Sequence, residues 1–317
     1  MSATETRSES QVVVVDHVTK EFNGHAALND VSLAVSGGQI FGLIGPSGSG
    51  KTTLVLMMIG MQAPTQGEVR VFGIDPVRFN SGDRERLGYM PQESFLYPTL
   101  TAWENMTYVS GLFGISWMKR RKLIRKVLGD LELWDARNKL AGDLSGGMLR
   151  RLHLATVLIH NPDLAFIDEP MEGLDPLLRQ GVWEILRQMR AHGQTVFMTT
   201  HNMEEAERCD NLALISNGRL IAAGAPQDLR KSVLGGQVIR LTAPRFDSKA
   251  YAALRSLPGV TEMDVKGRNE IILTVEKASE TLPQAVETMN RMGIPITTAE
   301  EYEPPFDEVF ARLVLND

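Results

Sequence analysis

The residues best suited to chemistry are Gly45, Pro46, Ser47, Gly48, Ser49, Gly50, Lys51 and Thr52. In that order they fit the pattern G-x-x-x-x-G-K-[ST]. Glycines let the backbone curl until several N–H groups point at one phosphate. The helix expected from Thr52 onward, with Thr53 in its first turn, adds the partial positive charge of its N-terminus. Lys51 supplies a point charge for β- and γ-phosphates, and the Thr52 hydroxyl is a magnesium ligand. A second group lies at Asp168-Glu169, which close the apolar run Leu164–Ile167. A carboxylate at the end of a buried strand is costly unless it meets a cation or hydrogen bonds. Asp168 beside magnesium meets that need. Glu169, one residue on, can face an attacking water as general base, a role worth roughly 10²–10⁴ in rate.

These groups need elements to hold them. Val12–Val15 and Val31–Val35 are β-branched runs bounded by turn residues, and Gln39–Ile44 is a short apolar strand entering the Gly-rich loop. The stretch Thr52–Met61 reads as a buried helix. Thr101 and Glu104 have capping-box spacing ahead of an apolar-periodic segment, so residues 93–143 read as a helical insertion. Another helix is expected over Ser145–His160, and a strand over Thr195–Thr200 that ends at His201. Strands alternating with helices predict a largely parallel sheet covered on both faces. A break is expected near residues 224–236, which contain Gly224, Pro226, Gly235 and Gly236. Beyond it come strands at Gln237–Thr242, Val260–Val265, Ile271–Val275 and Ile294–Thr298. Helices are expected at Ser248–Ser256, Ser279–Met292 and Phe306–Leu315. That order describes a small α/β domain of ferredoxin-like type.

Composition removes several classes. The chain has 317 residues, a prior of about two domains. Its 43% apolar and 23% charged residues can build a sizeable core. The net charge of −6 argues against bulk binding to nucleic acid. The single cysteine, Cys209, excludes an intrachain disulfide and a multi-cysteine zinc site. No apolar run approaches the roughly 18–20 residues of a membrane helix. Residues 1–10, MSATETRSES, lack a signal-type apolar stretch and read as a flexible solvated tail.

Further motifs carry a family resemblance. Leu144-Ser145-Gly146-Gly147-Met148-Leu149-Arg150 resembles the signature motif of ABC-transporter ATPases, and it lies between the phosphate loop and the acidic strand as in that family. Gln92 stands at the Q-loop position, Glu172-Gly173-Leu174-Asp175 resembles the D-loop, and His201 resembles the switch histidine. Phe22, 29 residues before Lys51, matches the aromatic that packs on adenine. The match covers residues 11–230. A Ser with exposed backbone N–H groups at a helix start can also grip a γ-phosphate on physical grounds alone.

The resemblance implies a P-loop NTPase domain over residues 11–230 with an ABC-type helical subdomain at about 93–143. It adds a regulatory or dimerisation domain over residues 235–317. It implies ATP and Mg²⁺ as cofactors, with Thr52, Gln92 and Asp168 around the metal. Glu169 serves as base, with His201, Lys51 and Gln92 around the γ-phosphate. Nucleotide contacts run through Phe22, residues 45–53, Ser145, Gly146, Gly147 and Asp175. Since the signature motif of this family serves the other subunit's nucleotide, a homodimer around two ATPs is implied. A separate membrane permease is also implied, which would place the chain on the cytoplasmic face of the cell membrane with no span of its own. The run Thr200–Ala206 and the segment from Pro304 to Phe310 are similar to the exporter branch that handles drugs, lipids and polysaccharides. The alternatives are an importer ATPase or a soluble ABC-type ATPase of DNA repair or translation. The latter usually has paired nucleotide domains, a long coiled coil or zinc cysteines, which this chain lacks.

Two positions depart from the pattern: Met148 replaces the usual Gln, and Glu172 occupies a position often held by a small residue. Other features are ambiguous. Six bases fall within Lys119–Lys126. They read as a solvated helix face, a contact for anionic lipid or a contact for nucleic acid. Phe95, Leu96, Tyr97, Pro98 and Trp103 read as core or as a groove, reached through Gln92 and Trp103, for a partner helix. His153 and His160 lack metal-ligand company and read as structural.

Overall fold

The computed structural model describes residues 11–308 and 310, so the expected tail over residues 1–10 lies outside them. Contacts divide the chain into two compact units, the first ending at Gly224 and the second beginning at Ala225.

The first unit begins with β1 (Gln11–Phe22), β2 (His25–Ser36), β3 (Ile40–Ile44), α1 (Lys51–Met58) and β4 (Gln66–Val71). It continues through α2 (Ser81–Glu85), β5 (Leu87–Met90), α3 (Ala102–Leu112), α4 (Trp117–Asp130) and α5 (Gly146–Leu158). It ends with β6 (Leu164–Asp168), α6 (Pro176–Ala191), β7 (Thr195–Thr200), α7 (Met203–Ala206), β8 (Asn211–Ser216) and β9 (Arg219–Gly224).

A six-stranded sheet runs β5-β6-β7-β3-β8-β9. Its first five strands are parallel, and β9 returns antiparallel on β8. Strands β3, β6 and β7 are buried along their whole length, as expected of strands covered on both faces. One core cluster joins this sheet to the helices α3 to α6, and another joins its opposite face to α1 and the β1, β2, β4 layer. That layer is a separate three-stranded antiparallel sheet, which the predicted single parallel sheet did not include. Its β1–β2 hairpin turns at Asn23 (φ 50°) and Gly24 (φ 81°). Two central residues of positive φ match the twist of the flanking strands, and Asn-Gly is the pair that adopts them most readily.

The insertion contains α3 and α4, as expected. Thr101 Oγ1 accepts from the Glu104 N–H at 3.1 Å, and Glu104 Oε2 accepts from the Thr101 N–H at 2.8 Å, closing the capping box. The helix after the phosphate loop starts one residue earlier than expected, at Lys51, and stops at Met58.

The second unit runs α8 (Pro226–Leu234), β10 (Gln237–Thr242), α9 (Ser248–Arg255), β11 (Val260–Lys266), β12 (Glu270–Val275), α10 (Ala278–Arg291) and β13 (Thr298–Glu301). After α8 this is the order β-α-β-β-α-β. The sheet order is β11-β12-β10-β13, with every pairing antiparallel, which is the ferredoxin-like arrangement. The unit starts ahead of α8 because Leu234 of that helix clusters with Val238 and Ile272. The strand expected at Ile294–Thr298 begins only at Thr298. Ile294 and Ile296 pack on the core from the preceding loop, so their apolar spacing marks burial and not a ladder. Of the final helix expected over Phe306–Leu315, Phe306–Glu308 and Phe310 are helical, and the remainder lies outside the described residues.

Candidate active site

The phosphate loop links β3 to α1. Gly48 and Gly50 have φ of +79° and +102°, which L side chains rarely adopt. A Cβ on Gly45 would stand 2.1 Å from the Ile215 carbonyl oxygen, and one on Gly50 2.7 Å from that of Ala27. The pattern's glycines are therefore required by the surrounding fold as well as by access to a phosphate. Lys51 is buried and donates from Nζ to the carbonyls of Gly45 at 2.8 Å and Pro46 at 3.1 Å. Burial pushes its pKa down, while Glu169 and Asp168 pull it back up. Glu169 Oε1 lies 3.9 Å from Nζ.

The acidic pair closes β6 beside the loop. Asp168 accepts from Thr52 Oγ1 at 2.9 Å through Oδ2 and from Thr199 Oγ1 through Oδ1. Thr52 and Asp168 thus present hard oxygen donors side by side, a set that suits magnesium. The set fits a metal that takes few protein ligands and fills its other positions with phosphate oxygens and water. Glu169 is buried and has φ +51°, an uncommon value for a residue with a side chain. Its N–H donates to Thr199 Oγ1 at 3.1 Å, and its Oε2 lies 3.0 Å from His201 Nδ1. The backbone turn is further held by Arg150, whose guanidinium donates to the Asp168 carbonyl at 2.8 Å and to the Glu169 carbonyl. The same guanidinium donates to the Gln92 carbonyl at 2.8 Å. Burial lowers the Arg150 pKa, and Glu172, Asp168 and Glu169 oppose that.

A pocket of about 230 Å³ gathers Ser47, Gly48, Gly50, Lys51, Thr52, Thr53, Gln92, Asp168, Glu169 and His201. Ala27 and Glu172 complete its lining, and Glu172 Oε2 accepts from Gln92 Nε2 at 3.3 Å. The remaining predicted residues stand elsewhere. Phe22 is 43% exposed at the end of β1, with Lys20 Nζ 5.0 Å from its ring centre. Ser145 caps α5, its Oγ accepting from the Met148 N–H at 3.4 Å. A Cβ on Gly146 would meet nothing within 4 Å, so the start of α5 faces open space. Asp175 caps α6 by accepting from the N–H groups of Leu177 and Leu178, each at 3.0 Å.

A separate apolar groove of about 320 Å³ is lined by Tyr89, Phe95, Leu96, Tyr97, Tyr108 and Leu112, among others. Burial, followed by the Asp168 charge, pushes the Tyr89 hydroxyl up to about 12. Trp103 does not line this groove. It packs against the helical core, edge-on to Trp134 at 6.3 Å, so of the two readings for this residue the core one holds and the groove one does not.

Sequence reasoning gave Arg150 and Thr199 no role. The signal for Thr199 was the Thr199-Thr200 pair closing an apolar strand in register with Asp168. Arg150 could have been noticed as a cation one helical turn before the fully buried Leu154.

Residues 28–172 match the family described as ABC transporter, and residues 224–314 match the C-terminal domain described as ATP-binding protein DrrA1-3-like. The chain is 40% identical over 252 residues to Nod factor export ATP-binding protein I of Burkholderia orbicola, covering 77% of this chain and 83% of the relative. The protein of the same name from Rhizobium sp. (strain N33) is 36% identical over 298 residues, 93% of this chain and 94% of the relative. The probable multidrug ABC transporter ATP-binding protein YbhF of Escherichia coli is 40% identical over 219 residues, 69% of this chain but only 38% of the relative. Among solved structures, an ATP-binding subunit of an ABC transporter superposes with a TM-score of 0.65 at 27% identity, over 70% of this chain and 92% of that one. A dimeric ATP-binding cassette in a post-hydrolysis state bound to ADP and phosphate gives a TM-score of 0.62 at 28% identity, over 67% and 98%.

Proposed function

This chain belongs to the ATP-binding subunits of exporter-type ABC transporters, and we propose from that how its residues drive transport. It is an ATPase, and the triphosphate of its substrate lies on the loop over residues 45–53. Backbone N–H groups and Lys51 neutralise the phosphate charge there, and Phe22 offers a face to adenine. Thr52, Asp168 and Gln92 would hold Mg²⁺. The ion, when bound, neutralises charge that develops on the β- and γ-phosphate oxygens. Glu169 takes a proton from the attacking water, and His201, hydrogen-bonded to Glu169, faces the γ-phosphate.

A second copy of the chain completes the site. Ser145, Gly146 and Gly147 lie outside the pocket of their own chain, and Ser145 and Gly146 are exposed, which suits this turn to grip the nucleotide of a partner. Asp175, at the N-cap of α6, is assigned to the same partner contact. Closure around two ATPs and reopening after hydrolysis would move a separate membrane permease, seated in the apolar groove behind Gln92. Among the described residues no helix is long and apolar enough to cross a membrane, which is consistent with a pore supplied by that permease. The chain then works at the cytoplasmic face of the membrane. The exporter direction is supported by relatives named as Nod factor export and multidrug ABC transporter ATP-binding proteins.

The observation that carries the reading is the meeting of Lys51, Thr52, Gln92, Asp168, Glu169 and His201 in one pocket. Glu169→Gln tests it. Phosphate release should fall by roughly 10²–10⁴, with an ATP-dependent dimer left intact on a sizing column. Turnover at the wild-type rate would remove Glu169 as the base. The same variant, held closed with ATP in solubilised membranes, should co-purify a polytopic membrane protein in near-equal amount. Ribosomal or DNA-repair proteins in its place would overturn the permease assignment.

A further inference from the structure

We propose that the outer face of helix α4 is a contact surface for an anionic lipid bilayer. The helix turns Ile124 and Leu128 into the core, with Leu123 and Val127 packed beside them. Its other face presents Lys119, Arg121, Lys122 and Lys126, all exposed. Among the described residues none of these four pairs with an acidic side chain. Between Glu104 and Asp130 the sequence contains six bases and no acid, inside a chain whose net charge is −6.

This clustering works against the helix itself. Its first turn contains no acid, and Ser116 makes no side-chain cap, so the bases crowd the positively polarised end. Lys119 with Lys122, Arg121 with Arg125, and Lys122 with Lys126 are like charges at spacings that face each other on a helix. An anionic surface relieves both costs at once.

Apolar side chains stand at the same end. Trp117 is 78% exposed, Met118 76% and Leu112 68%. The end of α3 and the start of α4 are adjacent, since a Cβ on Gly111 would lie 3.4 Å from Arg120 Nη2. Trp favours the headgroup level of a bilayer, and Lys and Arg stems can lie along apolar surface while their heads reach phosphates. A nucleic acid would satisfy the cations but offers no apolar layer to Met118 and Leu112. The proposal rests on the charge and exposure of this helix alone and stands apart from the transport reading.

The test is flotation of the purified full chain with lipid vesicles. It should float with phosphatidylcholine vesicles containing about one third phosphatidylglycerol, and far less with phosphatidylcholine alone. Raising sodium chloride from about 0.1 to about 0.5 M should release it. Each of Lys119→Gln, Arg121→Gln, Lys122→Gln and Lys126→Gln should lower partitioning by about fivefold. Trp117→Ser should weaken it further and abolish a blue shift of tryptophan emission on binding. None of these residues lines the nucleotide pocket, so unchanged ATP hydrolysis certifies that the variants are folded. Equal flotation with uncharged vesicles would overturn the proposal. So would a fourfold-substituted chain that floats like wild type, or tighter retention on an RNA oligonucleotide than on the anionic vesicles.

Discussion

The nucleotide-binding unit and the C-terminal unit are built from the same kinds of element but obey local rules to different degrees. In the first unit Lys51, Asp168, Glu169 and Glu205 are buried charges. Among the described residues of the second unit the buried polar side chains are Thr274 and Thr281, and none is charged. The described non-glycine residues of positive φ, Glu169 included, also fall in the first unit. The C-terminal sheet pairs in nearly unbroken register around an apolar core of Ile239, Leu241, Ile271, Leu273 and Val275. Departures from ordinary packing carry a cost, and in the first unit Lys51, Asp168 and Glu169, three of them, meet in one pocket. The second unit spends its sequence on folding.

That contrast is sharpest if the two units are broken in opposite ways. Glu169→Gln should remove activity and leave thermal stability near wild type, because the amide keeps the shape of the side chain. The mirror change is Leu273→Ala, at a fully buried position of β12. It should cost about 2–5 kcal/mol of the C-terminal unit's stability, read by denaturant melts, with ATP turnover per folded molecule unchanged. Lost turnover in the folded variant would mean that the second unit takes part in the chemistry.

A smaller effect is expected from His153, buried on α5. The side chain is fully buried, both ring nitrogens lack a hydrogen-bond partner, and Phe95 meets it edge-on at 4.5 Å. Burial, assisted by Arg150, pushes its pKa from 6.5 to about 4. The folded state therefore holds the ring neutral at pH values where the unfolded chain protonates it. Its contribution is complete above pH 6.5 and is lost as pH falls toward 4, a loss of about 3 kcal/mol once pH is below 4. His153→Leu should flatten the stability profile between those two pH values. An identical profile in the variant would place the acid sensitivity elsewhere.

Much of this was legible in the residues. The phosphate loop and the Asp168-Glu169 strand end combine fixed spacing with a physical need, so the fold type and those members of the pocket could be read ahead, while Gln92 and His201 came from the family resemblance. The capping box at Thr101 is local and equally legible. What could not be read depends on contacts distant in sequence. Arg150 acts on carbonyls of Gln92, Asp168 and Glu169, and nothing in its immediate neighbours announces that. The antiparallel β1, β2, β4 layer needs pairings across some fifty residues. Ile294 and Ile296 resembled a strand because burial alone, without a ladder, gives the same alternation. Trp103 could face the groove or the core on sequence grounds, and Trp134 decides it.

The least expected member of the pocket gives the smallest effect and the finest test. Glu172 places a third carboxylate near Asp168 and Glu169, and it accepts from Gln92 Nε2 at a long 3.3 Å. An exposed, long hydrogen bond is worth little, on the order of 1 kcal/mol or less. Its charge nonetheless faces the site proposed for a polyanion. Glu172→Ser removes both effects, freeing Gln92 and lowering the negative potential. The KM for Mg-ATP should fall by about two- to fivefold, with kcat altered less than that, since the charge acts on binding more than on the transition state. Glu172→Gln separates the causes, because it removes the charge and keeps an oxygen that can accept from Gln92. If the Gln variant matches Ser, the carboxylate acts through its field. If it matches wild type, the bond to Gln92 is what matters, and Glu172 serves as a rest for that side chain between cycles. A raised KM in both variants would reverse the sign of the argument and make Glu172 part of the magnesium site.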